Sequence, residues 1–274
     1  MASHANVKTI RRPCPVCLNA NIPAPSRSRY SGEEWDIIEC VSCGFPHLQQ
    51  VPVYEELEEN LAWEKQFETE GKRRRKKQPL IQSLDAATRW RLHLLPRTEG
   101  VDILNRLAPS GPALDLGCGT GGYLLRFDQR FVPNGIEISR QQAKVASSHA
   151  AARGGRVVQA SSEEGLLQFP AQHFTAALLR SYLEHDWRAR EVLQNLYTRM
   201  AKGGIVVVKV PNYGSLNRRV MGAKWCGFRH PDHVNYFDRR SLRSLAEAAG
   251  FTVRQPLHLN MPTDDNMVAI LHRH

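Results

Sequence analysis

The 274-residue sequence has no apolar run that approaches the ~20 residues of a membrane-spanning helix. Its first residues, Met1 to Ile10, are polar and lack the apolar core of a secretory signal peptide. We therefore predict a cytoplasmic protein that does not insert into a membrane. A hydrophobic content of 42% and a charged content of 23% are ordinary for a globular chain. The length accommodates one α/β domain with a small appendage.

Acidic residues are scarce relative to basic ones, which gives a formal net charge of +10. Such an excess is compatible with a nucleic-acid partner, because contacts to phosphates dominate that kind of binding. Part of the excess lies in the run Lys72 to Lys77, which ends a predicted helix over residues 52–78 whose first turns are acidic. That order complements the helix dipole, so a solvated helix end is favoured over a nucleic-acid clamp for this run.

Cysteine is sparse outside two close pairs, C-P-x-C at Cys14 and Cys17 and C-x-x-C-G at Cys40 and Cys43. The surrounding stretch, residues 11–51, has too few apolar residues for a core of its own, and units this small need a staple. The two pairs supply four thiolates at the spacing of a zinc ribbon. Two disulfides are the alternative, but they would be reduced in a protein that is not secreted. We predict a structural zinc site, which four sulfur ligands leave without an open position for catalysis.

A glycine-rich turn follows a short apolar run over residues 113–122, A-L-D-L-G-C-G-T-G-G, and precedes a predicted helix from Tyr123 to Arg130. In a strand, glycine turn and helix of this kind the backbone passes close to a ligand, because no Cβ blocks the approach. A second predicted strand ends at Glu137, 22 positions after Asp115. This spacing is near the ~20 expected for an acid that binds a ribose hydroxyl pair. The pattern indicates a nucleotide-like cofactor, and nicotinamide-binding folds share it.

Helices and strands are predicted to alternate through the rest of the chain, which implies a mostly parallel sheet with helices on both faces. The last two strands have no helix between them, so we expect them to pair as neighbours. The predicted domains are residues 11–51 (zinc ribbon), 52–108 (helical linker) and 109–274 (sheet domain). The predicted helices after residue 52 are 52–78, 80–95, 101–107, 140–153, 189–201 and 239–249; the strands after the first are 133–138, 156–159, 174–179, 205–210, 251–254 and 267–271.

The run L-D-L-G-C-G-T-G over residues 114–121 resembles motif I of the class I S-adenosylmethionine (SAM)-dependent methyltransferases, and residues 135–139 resemble their motif II. Residues 215–237 resemble a bacterial subgroup that often carries an N-terminal four-cysteine zinc module. The resemblance implies a Rossmann-like α/β sheet with an antiparallel last strand, and SAM as the cofactor. It also implies contacts to each portion of SAM. We assign the methionine portion to Asp115, Gly117 and Gly119, the ribose to Glu137, and the adenine to Ile138 and Ser161.

The acceptor side is predicted from the position of histidines. Transfer to oxygen or nitrogen also removes a proton, which calls for a base poised near neutrality. His233, in the predicted cover loop 212–237, is our first candidate for that base. His185 follows the fourth strand and is either a second candidate or a helix residue packed beneath the cofactor. Tyr236 is predicted to form a wall of the acceptor pocket.

Three functions are compatible with these features. A methyltransferase acting on a small molecule or a glycan is the leading interpretation. An RNA methyltransferase is suggested by the charge and the zinc module, but the N/D-P-P-aromatic motif used for base amino groups is absent after the fourth strand, which reads R-S-Y-L. A non-catalytic zinc-ribbon interaction protein is the third, and the intact motif I and Glu137 argue against it.

Overall fold

The computed structural model describes residues 8–20, 27–32, 34–52 and 98–274. The chain divides into two compact units, one formed by Arg11–Val51 with Gly100–His274 and one by Met1–Ile10 with Pro52–Glu99. The helices predicted over residues 52–78 and 80–95, including the basic run, lie from residue 53 onward outside the described residues.

The cysteine-bearing module consists of short strands joined by tight turns. Strands β2 and β3 pair in antiparallel fashion, and β1 and β4 form a second two-stranded sheet. Gly44 has a φ of +73° and donates its N–H to the carbonyl of Cys40 (2.8 Å), a left-handed turn that favours glycine. The strands are β1 (Thr9–Arg11), β2 (Ile37–Glu39), β3 (Pro46–Leu48) and β4 (Gln50–Pro52).

A seven-stranded sheet forms the rest of the unit, in the order β10-β11-β9-β8-β5-β6-β7. Its strands are β5 (Gly111–Leu116), β6 (Phe131–Glu137), β7 (Val157–Gln159), β8 (Phe174–Arg180), β9 (Met200–Pro211), β10 (Thr252–Arg254) and β11 (Asn266–His272). Strand β11 is antiparallel to both of its neighbours, while β7, β6, β5, β8 and β9 are mutually parallel. The predicted sheet and its antiparallel last strand are therefore confirmed.

The helices are α1 (Gly100–Leu107), α2 (Arg140–Ala151), α3 (Ser162–Leu167), α4 (Ala189–Arg199), α5 (Leu216–Met221) and α6 (Arg239–Ala248). The helix predicted from Tyr123 to Arg130 is wrong, because only a 3₁₀ turn over Leu124–Arg126 forms there. Phe127 leaves the helical region and buries its ring 5.9 Å from that of Phe131, so burial overrides local propensity. Within the described residues, none of the helices has the length and apolarity that a membrane crossing requires.

The core lies on both faces of the sheet, because successive strand residues point to opposite sides. Leu114 and Leu116 pack on one face, whereas Ala113 packs on the other. Val16 and Phe45 of the cysteine module belong to the same apolar cluster as the Leu114 face. The module over residues 11–51 thus shares a core with the sheet.

Candidate functional site

The glycine turn lies at the carboxyl end of β5, the edge where ligands bind in open α/β sheets. Gly117 and Gly119 have φ angles of +72° and +54°, which L side chains rarely adopt. A Cβ on Gly117 would lie 2.7 Å from the ring of Tyr182. Glycine is therefore required here both by the backbone conformation and by the close packing of the Tyr182 ring.

Glu137 ends β6 beside this turn. Its Oε2 accepts a hydrogen bond from the Gly119 N–H (2.9 Å), and its Oε1 accepts one from the Ser139 N–H (2.9 Å). Asp115 is 3% exposed; burial, and next the charge of Glu137, raise the pKa of its carboxyl group to about 8. Arg180 offsets part of that rise, and the two acids together make this edge suited to a cationic ligand.

The predicted adenine contacts lie near α3. Ile138 is half-buried, and its carbonyl accepts a hydrogen bond from the Gln159 side chain (3.3 Å). Ser161 caps α3 by accepting from the Glu164 N–H (3.4 Å), and Tyr182 donates its hydroxyl to Ser162 at the start of that helix. Helix α3 is absent from the predicted elements, although its S-x-x-E start is a helix-capping signal.

The structure brings the two predicted histidines together and adds a glutamate that the sequence analysis did not single out. One potential ligating atom of each of Glu184, His185 and His233 lies within 4.8 Å of the others. The rings of His185 and His233 meet edge to face, with centroids 4.6 Å apart. Glu184 is 1% exposed, and its Oε2 accepts no hydrogen bond from any described residue.

Hydrogen bonds fix the tautomers of both histidines. Nδ1 of His185 lies 3.0 Å from the Asp232 carbonyl, and Nδ1 of His233 lies 2.8 Å from the Gly227 carbonyl. A carbonyl oxygen only accepts, so each Nδ1 carries a proton, and in the neutral form of each ring the lone pair lies on Nε2. Burial lowers the pKa of His185 to about 4, which keeps that ring neutral at pH 7.

The third predicted catalytic residue, Tyr236, faces the backbone of its own loop. Its buried hydroxyl donates to the His233 carbonyl (2.8 Å) and lies 3.1 Å from Nδ1 of His230. Trp225 of the same loop is buried and donates its indole N–H to Asp265 (2.8 Å). The loop that carries His233 is therefore a packed segment with an aromatic core.

A buried arginine of the cysteine module supports this loop. Arg12 is 3% exposed and donates to the carbonyls of Leu48, Trp187 and Val234 and to the side-chain oxygen of Asn235. The Asn235 amide group in turn donates to the carbonyls of Leu183 and Asp186, both at 2.7 Å. Residues 183–186 include Glu184 and His185, two members of the trio formed with His233. The module therefore holds both segments of the histidine site in place.

The four predicted zinc ligands lie together in the module, with Cys14 and Cys40 buried and Cys17 and Cys43 exposed. The Sγ atoms of Cys14 and Cys43 are 3.6 Å apart, and those of Cys17 and Cys40 are 3.4 Å apart. Sulfurs that bind one tetrahedral ion at about 2.3 Å lie about 3.8 Å apart, so the cluster fits zinc. None of the four forms a disulfide.

Comparison with known proteins agrees with this geometry. A family model described as Methyltransferase domain matches residues 88–255. An uncharacterized protein of Methanocaldococcus jannaschii is 22% identical over 151 residues, which are 55% of this chain and 69% of that protein. A SAM-dependent methyltransferase of Thermotoga maritima aligns over 64% of this chain and 87% of its own, at 19% identity and a TM-score of 0.48. A possible exported protein of Bordetella parapertussis aligns over 63% and 65%, at 14% identity and a TM-score of 0.50.

The strand order, the antiparallel last strand and the glycine turn define a Rossmann-like class I methyltransferase fold. The family match covers more than half of the chain, so the chain belongs to the methyltransferase domain family. It is a SAM-dependent methyltransferase.

Proposed function

We propose that the chain transfers a methyl group from SAM to a small-molecule or glycan acceptor bound beside His185 and His233. The single observation that carries this proposal is that the glycine turn and His185 follow two neighbouring parallel strands, β5 and β8, at the same edge of the sheet. Tyr182, whose ring lies against Gly117, is followed three residues later by His185. Cofactor and acceptor would therefore lie side by side.

The residues proposed to hold the cofactor fit its chemistry. The backbone of Gly117 and Gly119 allows close approach, and Asp115 suits the positive ammonium group of the methionine portion. Glu137 is already oriented by two backbone N–H groups, and its remaining lone pairs can accept the ribose hydroxyls. Ile138 and Ser161 would contact the adenine.

When bound, SAM supplies an electrophilic methyl group on a positive sulfur. The protein's own contribution is to align the acceptor with that methyl group, and alignment of this kind can lower a barrier by roughly 7–11 kcal/mol. An oxygen or nitrogen acceptor must also lose a proton. The Nε2 lone pair of His233 can accept that proton directly, whereas the lowered pKa of His185 makes that ring the weaker base. Alternatively, both Nε2 atoms can ligate a metal ion that lowers the pKa of the acceptor.

Zinc in the cysteine module is a separate part of the proposal. The Sγ separations near 3.5 Å support a closed tetrahedral site at Cys14, Cys17, Cys40 and Cys43. The ion would stabilise the module and, through Arg12, the acceptor loop. Metal analysis should find one thiolate-bound zinc per chain, which Cys40→Ser should weaken. Protein without zinc, with disulfides that persist in reducing buffer, would contradict this site.

The proposal is tested by a screen of acceptors with SAM labelled in the methyl group. Hydroxyl-, amine- and carbon-acid-bearing small molecules, sugars and bulk RNA form separate arms. Label transferred to a small molecule or sugar supports the proposal. Label found only in RNA would show that the acceptor is RNA and not a small molecule or sugar. SAM binding without transfer to any of these acceptors would contradict the proposal.

A further inference from the structure

We propose that Glu184, His185 and His233 form a second metal site, which binds a divalent first-row transition-metal ion. The role of this ion in acceptor binding rests on the proposed methyl transfer, but its binding does not. The site differs from the cysteine cluster in ligand chemistry and in position along the chain, since its members follow β8 and lie in the loop after β9.

The first argument is electrostatic. Each histidine donates from Nδ1 to a backbone carbonyl, so the lone pairs lie on the Nε2 atoms. Nε2 of His185 is 3.9 Å from Oε1 of Glu184. A carboxylate and two imidazole lone pairs in one buried cluster repel one another unless a proton or a cation lies among them. The Oε2 atom of Glu184 accepts no hydrogen bond within the described part of the chain, which leaves it able to bind a cation.

The second argument is the support behind the ligands. Histidines that bind metals usually donate their other ring N–H to a backbone carbonyl or a carboxylate, which fixes ring orientation. Both histidines have that arrangement. The carbonyl of Glu184 accepts from the N–H groups of Val234 and Asn235 (2.8 and 3.1 Å), so the two ligand-bearing segments are joined directly beside the site.

The ligand set indicates the class of ion. Two imidazoles and one carboxylate suit zinc, iron(II), cobalt(II) or manganese(II) better than the hard ion calcium. Atoms that share one such ion at about 2.1 Å lie about 3–3.5 Å apart, so the Glu184–His185 separation of 3.9 Å has to shorten by roughly half an ångström when the ion binds. Three protein ligands leave coordination positions for water or substrate, as in catalytic sites.

A coordination position that the protein leaves open on the metal ion favours an acceptor with a hydroxyl group. Coordination lowers the pKa of a bound hydroxyl, so its proton passes to water near neutral pH. The acceptor oxygen then forms the bond to the methyl carbon, while the electron pair of the broken C–S bond remains on sulfur. In this arrangement His233 acts as a metal ligand, and no side chain takes the proton.

Cobalt(II) alone is the probe that tests the site. Full-length protein, with its cysteine cluster saturated by zinc, is titrated with cobalt(II) and followed by calorimetry and visible absorption. Wild type should bind one cobalt(II) with the weak ligand-field bands of nitrogen and oxygen ligands. Glu184→Gln and His185→Gln should each weaken binding tenfold or more, because each removes a ligand. His230→Ala, a histidine of the same loop outside the trio, should bind as wild type does.

Circular dichroism and thermal melting without cobalt establish that each variant is folded, and the two single-ligand variants serve as independent tests. Absence of cobalt(II) binding in wild type, or wild-type affinity in both folded ligand variants, would overturn the inference. SAM binding is measured on the same samples. Protein that binds SAM but not cobalt(II) disproves only the metal site. Protein that binds cobalt(II) at the trio but transfers no methyl group to any acceptor disproves only the proposed function.

Discussion

Two glutamates at the same edge of the sheet differ in what their carboxylates contact and in how far they are buried. Glu137 accepts hydrogen bonds from two backbone N–H groups, whereas Oε2 of the buried Glu184 accepts none from the described residues. The polypeptide has oriented the first carboxylate in advance, which suits the binding of neutral hydroxyls. The second is buried, which raises its pKa to about 8, although nearby cations, Arg229 first among them, offset part of that rise. In the proposed function, this difference distinguishes the end of the site that would bind the cofactor from the end that would bind the acceptor.

Replacement of His233 should give the largest effect. His233→Ala removes a lone pair from the acceptor end, whether that lone pair binds a proton or a metal ion. We expect turnover to fall by ~10²-fold or more and SAM affinity to change little. Steady-state kinetics with an identified acceptor and calorimetry with SAM measure the two quantities. His230→Ala is the matched control, and turnover of His233→Ala within a few fold of wild type would remove His233 from the chemistry.

A methyl group added at Gly117 should disturb both ends at once. Gly117→Ala puts Cβ 2.7 Å from the Tyr182 ring at a φ of +72°, so the ring or the turn has to move. We expect SAM affinity to weaken about tenfold, since strain of about 1–3 kcal/mol corresponds to a factor of roughly 5 to 150. Gly122→Ala is the control, because its Cβ would have no neighbour within 4 Å and its φ is not positive. Equal affinities of the two variants would show that the turn does not contact the cofactor.

The pKa of Asp115 predicts a smaller effect of pH at the cofactor end. A carboxyl group with a pKa of about 8 is mostly protonated at pH 7, and a cationic ligand favours its ionised form. SAM affinity should therefore rise about fivefold from pH 7 to pH 8, with proton release that calorimetry detects in buffers of different ionisation enthalpy. Asp115→Asn, which cannot ionise, should remove this dependence. A dependence that persists in Asp115→Asn would have another source.

The sequence predicts the cofactor end better than the acceptor end, for a physical reason. Asp115, the glycines and Glu137 are local to two strands whose pairing follows from the alternation of elements. The trio joins residues 184 and 233, which are far apart in the chain. They meet through backbone hydrogen bonds from Val234 and Asn235 to the Glu184 carbonyl and through the side chains of Asn235 and Arg12. The hydrophobic periodicity of the sequence does not predict such a long-range contact. Phe127 shows a different kind of error, in which a helix is predicted but does not form. The local sequence favours a helix there, and the burial of Phe127 ends it.

Isothermal titration of SAM into wild type, Glu137→Ala and Glu184→Gln tests the separation of the two ends most directly. Loss of charge-assisted hydrogen bonds, worth ~1.5–3 kcal/mol each, should weaken SAM binding to Glu137→Ala at least tenfold. Glu184→Gln, which keeps the shape of its side chain, should bind SAM within about twofold of wild type, since the proposed cofactor contacts do not include it. Unchanged affinity in Glu137→Ala, or weakened affinity in Glu184→Gln alone, would contradict the assignment.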